Sequence, residues 1–162
     1  SLKIVADLRK AVGSVSARVF FDARGNPTKG QVVGLDQGIK EALSKDGWEL
    51  IPNHRAFRDS EFNFDLACET HGILIEIEKG QSPRLELDVL KIATACRLNP
   101  DKWQYGALIV PSSYIQLRLA GRSSPFEYAQ RLKPLIEPVI KRCGVRGLIV
   151  IGYEDPRSSE KK

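Results

Sequence analysis

The fold turns on one stretch: Phe62-Asn63-Phe64-Asp65-Leu66-Ala67-Cys68-Glu69-Thr70-His71-Gly72-Ile73-Leu74-Ile75-Glu76-Ile77-Glu78. Side chains of an extended chain point to opposite faces by turns, so Ile73, Ile75 and Ile77 share one face while Leu74, Glu76 and Glu78 share the other. Glu69-Thr70-His71-Gly72 reads as a tight turn that folds a strand from Phe62 to Cys68 back antiparallel. The hairpin then carries Asp65 next to the Glu76/Glu78 pair. Cβ atoms two residues apart on one strand face lie roughly 6 to 7 Å from each other, and carboxylates held that close in a partly desolvated place repel. Something must offset the repulsion.

On the N-terminal side, Leu2 to Val12 spaces Ile4, Val5, Leu8 and Val12 for a short one-faced helix, and Val15, Ala17, Val19 and Phe21 alternate like a strand. Asp22 to Gly30 reads as a loop. Leu35, Ile39, Ala42 and Leu43 predict a helix to Lys45, ended by Asp46-Gly47. Trp48 to Ile51 reads as a first strand, and Pro52 to Glu61 as a polar, basic connection. On the C-terminal side, Ser82-Pro83 starts a helix whose buried stripe is Leu85, Val89, Ile92 and Cys96 and which stops near Asn99-Pro100. Tyr105 to Pro111 is wholly apolar, the mark of a strand covered on both faces. Ser124-Pro125-Phe126-Glu127 is a capping box opening a further helix, which Pro134 and Pro138 are expected to kink or break. Val145 to Tyr153 is the last strand, with Glu154 to Lys162 a frayed tail. An antiparallel hairpin feeding a β-α-β crossover predicts an α/β fold, a mixed central sheet flanked by helices.

Composition bounds the function. A chain of 162 residues, 42% apolar, is one domain with a single real core. Its net charge of +5, with a pI near 9.2, suits a polyanionic partner without requiring one. Three Cys, with no C-x-x-C and no Cys/His ligand spacing, argue for reduced core thiols, Cys68 and Cys96 among them, in a cytoplasmic protein. No window approaches 18 apolar residues, and no signal peptide opens the chain. The chain has no Met, so Ser1 is not expected to be the natural start.

An acid on the second strand and acid-x-acid on the third resembles the PD-(D/E)xK nuclease superfamily. Asp65 and Glu76 fit the first two motif positions, and Glu78 stands where Lys is usual. Within the superfamily the chain is similar to the BamHI and BglII group of type II restriction endonucleases, which carry Glu-x-Glu or Glu-x-Gln on that strand. Asp88-Val89-Leu90-Lys91 in the next helix and Leu108-Ile109-Val110-Pro111 in the next strand extend the likeness, which covers about residues 35 to 115. The resemblance implies a restriction endonuclease-like fold in a single nuclease-like domain over residues 1–162, with a core at about 35–153. It also implies a homodimer acting on double-stranded DNA in a prokaryotic cytoplasm.

The residue types suit that chemistry. Phosphodiester hydrolysis needs water deprotonated near neutral pH and charge stabilised on the phosphate, and Mg²⁺ (or Mn²⁺) held by carboxylates supplies both. Asp65 and Glu76 are the expected metal ligands and, with Glu78, the catalytic set; Glu78 is assigned to a second metal or to orienting the attacking water. Glu41 on the preceding helix is a candidate fourth carboxylate. Lys79 points to the opposite face unless a bulge at Gly80 re-aims it. Arg55, Arg58, Arg84 and Lys102 are the candidate DNA contacts, with Lys91 and Arg97 in the same basic set. Against this stand two plainer readings. The acids form a solvated strand face paired with Arg or Lys, or the chain is a non-catalytic DNA-binding or assembly domain; a nuclease module of a larger defence or repair protein is a further variant. His54 and His71 lie in loops and read as surface residues.

Overall fold

The computed structural model describes residues 2–26, 32–57, 61–79, 85–112 and 124–155. Helix α1 (Leu2–Ser14) buries Ile4, Leu8, Ala11 and Val12, the spacing of one helical face. Helix α2 (Val33–Lys45) follows, then strands β1 (Ile51–His54), β2 (Phe64–Cys68) and β3 (Ile73–Ile77). Helix α3 (Leu85–Leu98), strand β4 (Tyr105–Pro111), helix α4 (Pro125–Arg142) and strand β5 (Gly147–Tyr153) complete the chain. The strands form one mixed sheet in the order β1-β2-β3-β4-β5. The first three pair antiparallel, and β3, β4 and β5 run parallel. The fold is α/β, a mixed sheet with helices on both faces.

The period-2 reading of the hairpin sets the two layers. Ile73, Ile75 and Ile77 pack with α1 and α2, while Leu74 packs with Leu85, Val89 and Ile92 of α3 and Ile140 of α4. The turn falls at Glu69 to Gly72, where Gly72 takes φ +59 and its N–H donates to the Glu69 carbonyl at 3.0 Å. A Cβ there would stand 3.1 Å from the Lys102 carbonyl, so glycine suits both the dihedral and the space. Among the described residues no helix is long and apolar enough to cross a membrane.

Several local expectations are corrected. Val15 to Phe21 is not a strand but holds a 3₁₀ turn, Ala17–Phe20, whose start is capped by the Ser16 hydroxyl accepting from the Arg18 N–H at 3.3 Å. Val15 and Val19 instead fill the space above Gly38 and Gly34 of α2, where added Cβ atoms would sit 3.2 and 3.0 Å from them. The first strand begins at Ile51 rather than Trp48, because the Trp48 ring is buried against His71, 4.3 Å between centroids, with its N–H donating to Asp7 Oδ2 at 3.1 Å. Helix α4 runs through Pro134 and Pro138 as a single element. Both prolines lie on its exposed face, so the carbonyls that lose a donor meet water. The tail expected from Glu154 does not begin there, and residues 156–162 lie outside the described residues. Asp155 is fully buried, and Glu154 Oε1 accepts from the Ser112 hydroxyl at 2.6 Å.

Candidate active site

The carboxylates gather at the open end of the β2–β3 hairpin. The register pairs Leu66 with Ile75, and one further step sets Asp65 opposite Glu76. There the backbone ladder gives way to a side chain: Asp65 Oδ2 accepts the Ile77 N–H at 2.7 Å. One Asp65 oxygen is thus tied to β3. Glu78 lies one residue past β3 with its backbone held from two sides, its N–H donating to the Ile109 carbonyl and its carbonyl accepting from the Tyr153 hydroxyl, each at 2.8 Å. β4 and β5 thereby hold the main chain at the second acid of the E-x-E pair.

Helix α3 completes the cluster with two residues that the strand pattern did not reveal. Asp88, in its first turn, is 5% exposed, and Lys91 comes one turn later. The Lys91 ammonium forms an ion pair with Glu76 Oε1, outside hydrogen-bond angles, and sits 3.5 Å from Asp88 Oδ1 and 5.1 Å from the Phe64 ring centroid. Glu78 is close enough to Asp88 for a hydrogen bond between the carboxyl groups. The repulsion was expected to be offset by a bound cation; in the structure Lys91, expected among the basic set and in the Asp88-Val89-Leu90-Lys91 stretch, places an ammonium against Glu76 and Asp88.

Burial dominates the electrostatics. It pushes the Glu76 carboxyl up to about 8, with Lys91 pulling the other way and the negative charges of Asp88 and Asp65 adding to the rise. Asp88 is raised first by burial, opposed by Lys91 and the Glu78 hydrogen bond, and raised further by Asp65. Glu76 Oε1 and Asp88 Oδ2 are buried without a hydrogen-bond partner. Such oxygens are costly in a folded protein and concentrate where a ligand or proton is handled.

The remaining candidates divide. Lys79 does point to the opposite face, where its ammonium pairs with Asp36 of α2. Asp36 is itself raised by burial, opposed by Lys79, and feels the charge of Asp65, so it is the α2 acid nearest the cluster. Glu41 does not join it: that carboxylate is exposed and accepts from Gln37 Nε2 at 2.7 Å. The helical phase explains the difference, since Asp36 lies in the first turn of α2 and Glu41 more than a turn further along. Lys102 pairs with Glu69 at 2.7 Å beside the turn, at the end of the hairpin away from the acids, and its ammonium lies 5.2 Å from the Trp103 ring centroid. Arg55 is exposed just after β1. Arg58, Arg84 and the Gly80 bulge lie outside the described residues. The His54 ring packs edge-on to Trp103, 5.1 Å between centroids, and burial lowers its pKa, which corrects its reading as a surface loop residue.

Helical phase was the missed signal for Asp88. It continues the stripe through Leu85, Ile92 and Ala95 and so falls where an apolar residue is expected. No three His, Cys, Asp or Glu side chains among the described residues form a ready-made metal cage. The donor set still fits a hard cation in kind, being all carboxylate oxygen, with Asp88 Oδ2 buried and without a hydrogen-bond partner. No family model, no curated protein and no solved structure matches the chain.

Proposed function

We propose that the chain is a Mg²⁺-dependent endonuclease that hydrolyses phosphodiester bonds of double-stranded DNA at the cluster of Asp65, Glu76, Glu78 and Asp88. One observation carries this reading. Two carboxylates, Glu76 and Asp88, are buried beside Asp65, where a single ammonium, that of Lys91, faces both and Asp88 Oδ2 has no hydrogen-bond partner. A buried acid left unsatisfied costs stability, and a solely structural face would replace it with an apolar residue.

Asp65 and Glu76 would hold the ion, Asp65 through the oxygen not tied to Ile77. Mg²⁺ bound there supplies positive charge against the phosphate and acidifies water. Glu78 and Asp88, sharing a hydrogen bond, are suited to orient that water and take its proton. Lys91, held against Glu76, would provide the ammonium that Glu78 cannot. Arg55, Arg58 and Arg84 are the proposed backbone contacts; Lys102 is a weaker candidate because it lies at the other end of the hairpin.

A second reading has its own support. The Lys91–Glu76 ion pair already neutralises part of the cluster, as expected of a non-catalytic DNA-binding or assembly domain. Incubating supercoiled plasmid with the protein in Mg²⁺ or in EDTA separates the two. The nuclease nicks or linearises DNA only with metal, giving discrete bands if it reads a sequence and a smear if it does not. Asp65→Asn keeps an acceptor for the Ile77 N–H, so this variant should fold and lose cleavage. Intact plasmid in both Mg²⁺ and Mn²⁺, with no metal binding by calorimetry, would establish the inert domain.

A further inference from the structure

The two edges of the sheet are built differently. β1 has four residues, with Pro52 lacking a backbone donor and Asn53 at φ 49, features that blunt an edge against further pairing. β5 has seven, Gly147-Leu148-Ile149-Val150-Ile151-Gly152-Tyr153, with no charge, no proline and no positive φ. Among the described residues it pairs with β4 alone, on one side. A groove of about 520 Å³ runs beside its second half, walled by Arg9 and Val12 of α1 and by Phe126 of α4. A long apolar edge of this kind invites another strand.

We propose that β5 pairs antiparallel with β5 of a second copy, across a twofold axis through Val150, joining the two sheets into one. The strand is its own complement. With Val150 opposite Val150, Ile149 meets Ile151, Leu148 meets Gly152, and Gly147 meets Tyr153, so β-branched residues pair at the centre and each bulky end faces a glycine. One step further, Arg146 stands opposite Glu154 at both ends, and both are exposed in the single chain. Parallel in-register pairing would set Arg146 beside Arg146 and Glu154 beside Glu154. The charges therefore select the antiparallel arrangement, which is isologous and closes as a dimer. Ile149 and Val150, half-exposed at the edge, become covered. The inference rests on the sheet edge and is independent of the chemistry at Asp65.

Sedimentation velocity on the full chain over a range of concentrations tests it, with Arg146→Glu, Glu154→Arg and the double exchange beside wild type. Wild type should dimerise, and each single reversal should raise the dimer dissociation constant about tenfold through two like-charge contacts. The double exchange should return it to the wild-type value, even though Glu154→Arg also removes the Ser112 hydrogen bond. Val150→Cys should cross-link on oxidation with diamide, because directly opposed Cα atoms lie about 4.5 to 5.5 Å apart, within disulfide reach. Ile149→Cys, which faces residue 151 of the other copy, should cross-link no more than wild type. A monomer at every concentration would overturn the proposal. So would a dimer that is indifferent to the charge reversals and gives no preferential Val150→Cys cross-link, since it would use another face.

Discussion

Glu76→Gln keeps the side-chain shape at the centre of the acid cluster and removes its titration. The wild-type carboxyl is held at about 8 against an ordinary 4.5, chiefly by burial. For an acid whose folded pKa is raised, the folded state holds the proton more tightly than the unfolded state. The group then contributes nothing below pH 4.5, a growing penalty as pH rises to 8, and a constant penalty above. At about 1.4 kcal/mol per pH unit, wild type should lose at most about 4 kcal/mol between pH 5 and pH 9 through this residue. For a protein of this size that corresponds to about 8 to 16 °C in melting temperature. Asp88 remains in both proteins, so the difference between their curves isolates Glu76. Circular-dichroism melts in EDTA at pH 5, 6, 7, 8 and 9 should show the variant level with or slightly below wild type at pH 5, where only the Lys91 contact is lost, and well above it at pH 9. Mg²⁺ should stabilise wild type most at high pH and do much less for the variant. A variant that drops further below wild type as pH rises, with an unchanged metal response, would refute the reasoning. It would make the Lys91–Glu76 pair a net stabiliser.

If the chain binds DNA, Arg55→Ala should lower the log-log salt slope of binding by about 0.9, while Lys102→Ala, whose ammonium is engaged with Glu69, should change it little; equal losses at both positions would place DNA along the whole hairpin. Gly106→Ala should lower stability by about 1 to 3 kcal/mol in urea titrations, because a Cβ there would come within 2.6 Å of Ile92 Cγ2. Gly13→Ala on α1 meets no atom within 4 Å and should raise stability by about 0.4 to 1 kcal/mol, an outcome that the same titration checks. Ser124→Ala removes the acceptor for the Glu127 N–H at the start of α4 and should cost about 1 kcal/mol, seen as a lower melting temperature with activity unchanged.

Features encoded within a few residues were legible before any tertiary information. The alternation through Ile73 to Ile77 assigned each side chain its face, Gly72 marked the turn, and the capping box at Ser124 and Glu127 formed as read. Asp65 came opposite Glu76 because a hairpin's register follows from its turn. Tertiary packing decided the rest. Val15 and Val19 alternate with polar residues as a strand would, but two glycines 15 to 23 positions further along α2 gave them a helical surface to pack on. Neither Lys91 for Glu76 nor Asp36 for Lys79 could be read from spacing, since each pair joins a strand end to a helix whose crossing position is set by the whole core. Glu41 and Asp36 look alike in sequence, and only the phase of α2 against the sheet separates the exposed acid from the half-buried one. Periodicity fixes which face a side chain takes; which charge it meets depends on contacts between distant segments, and those exist only once the two layers have closed on the sheet.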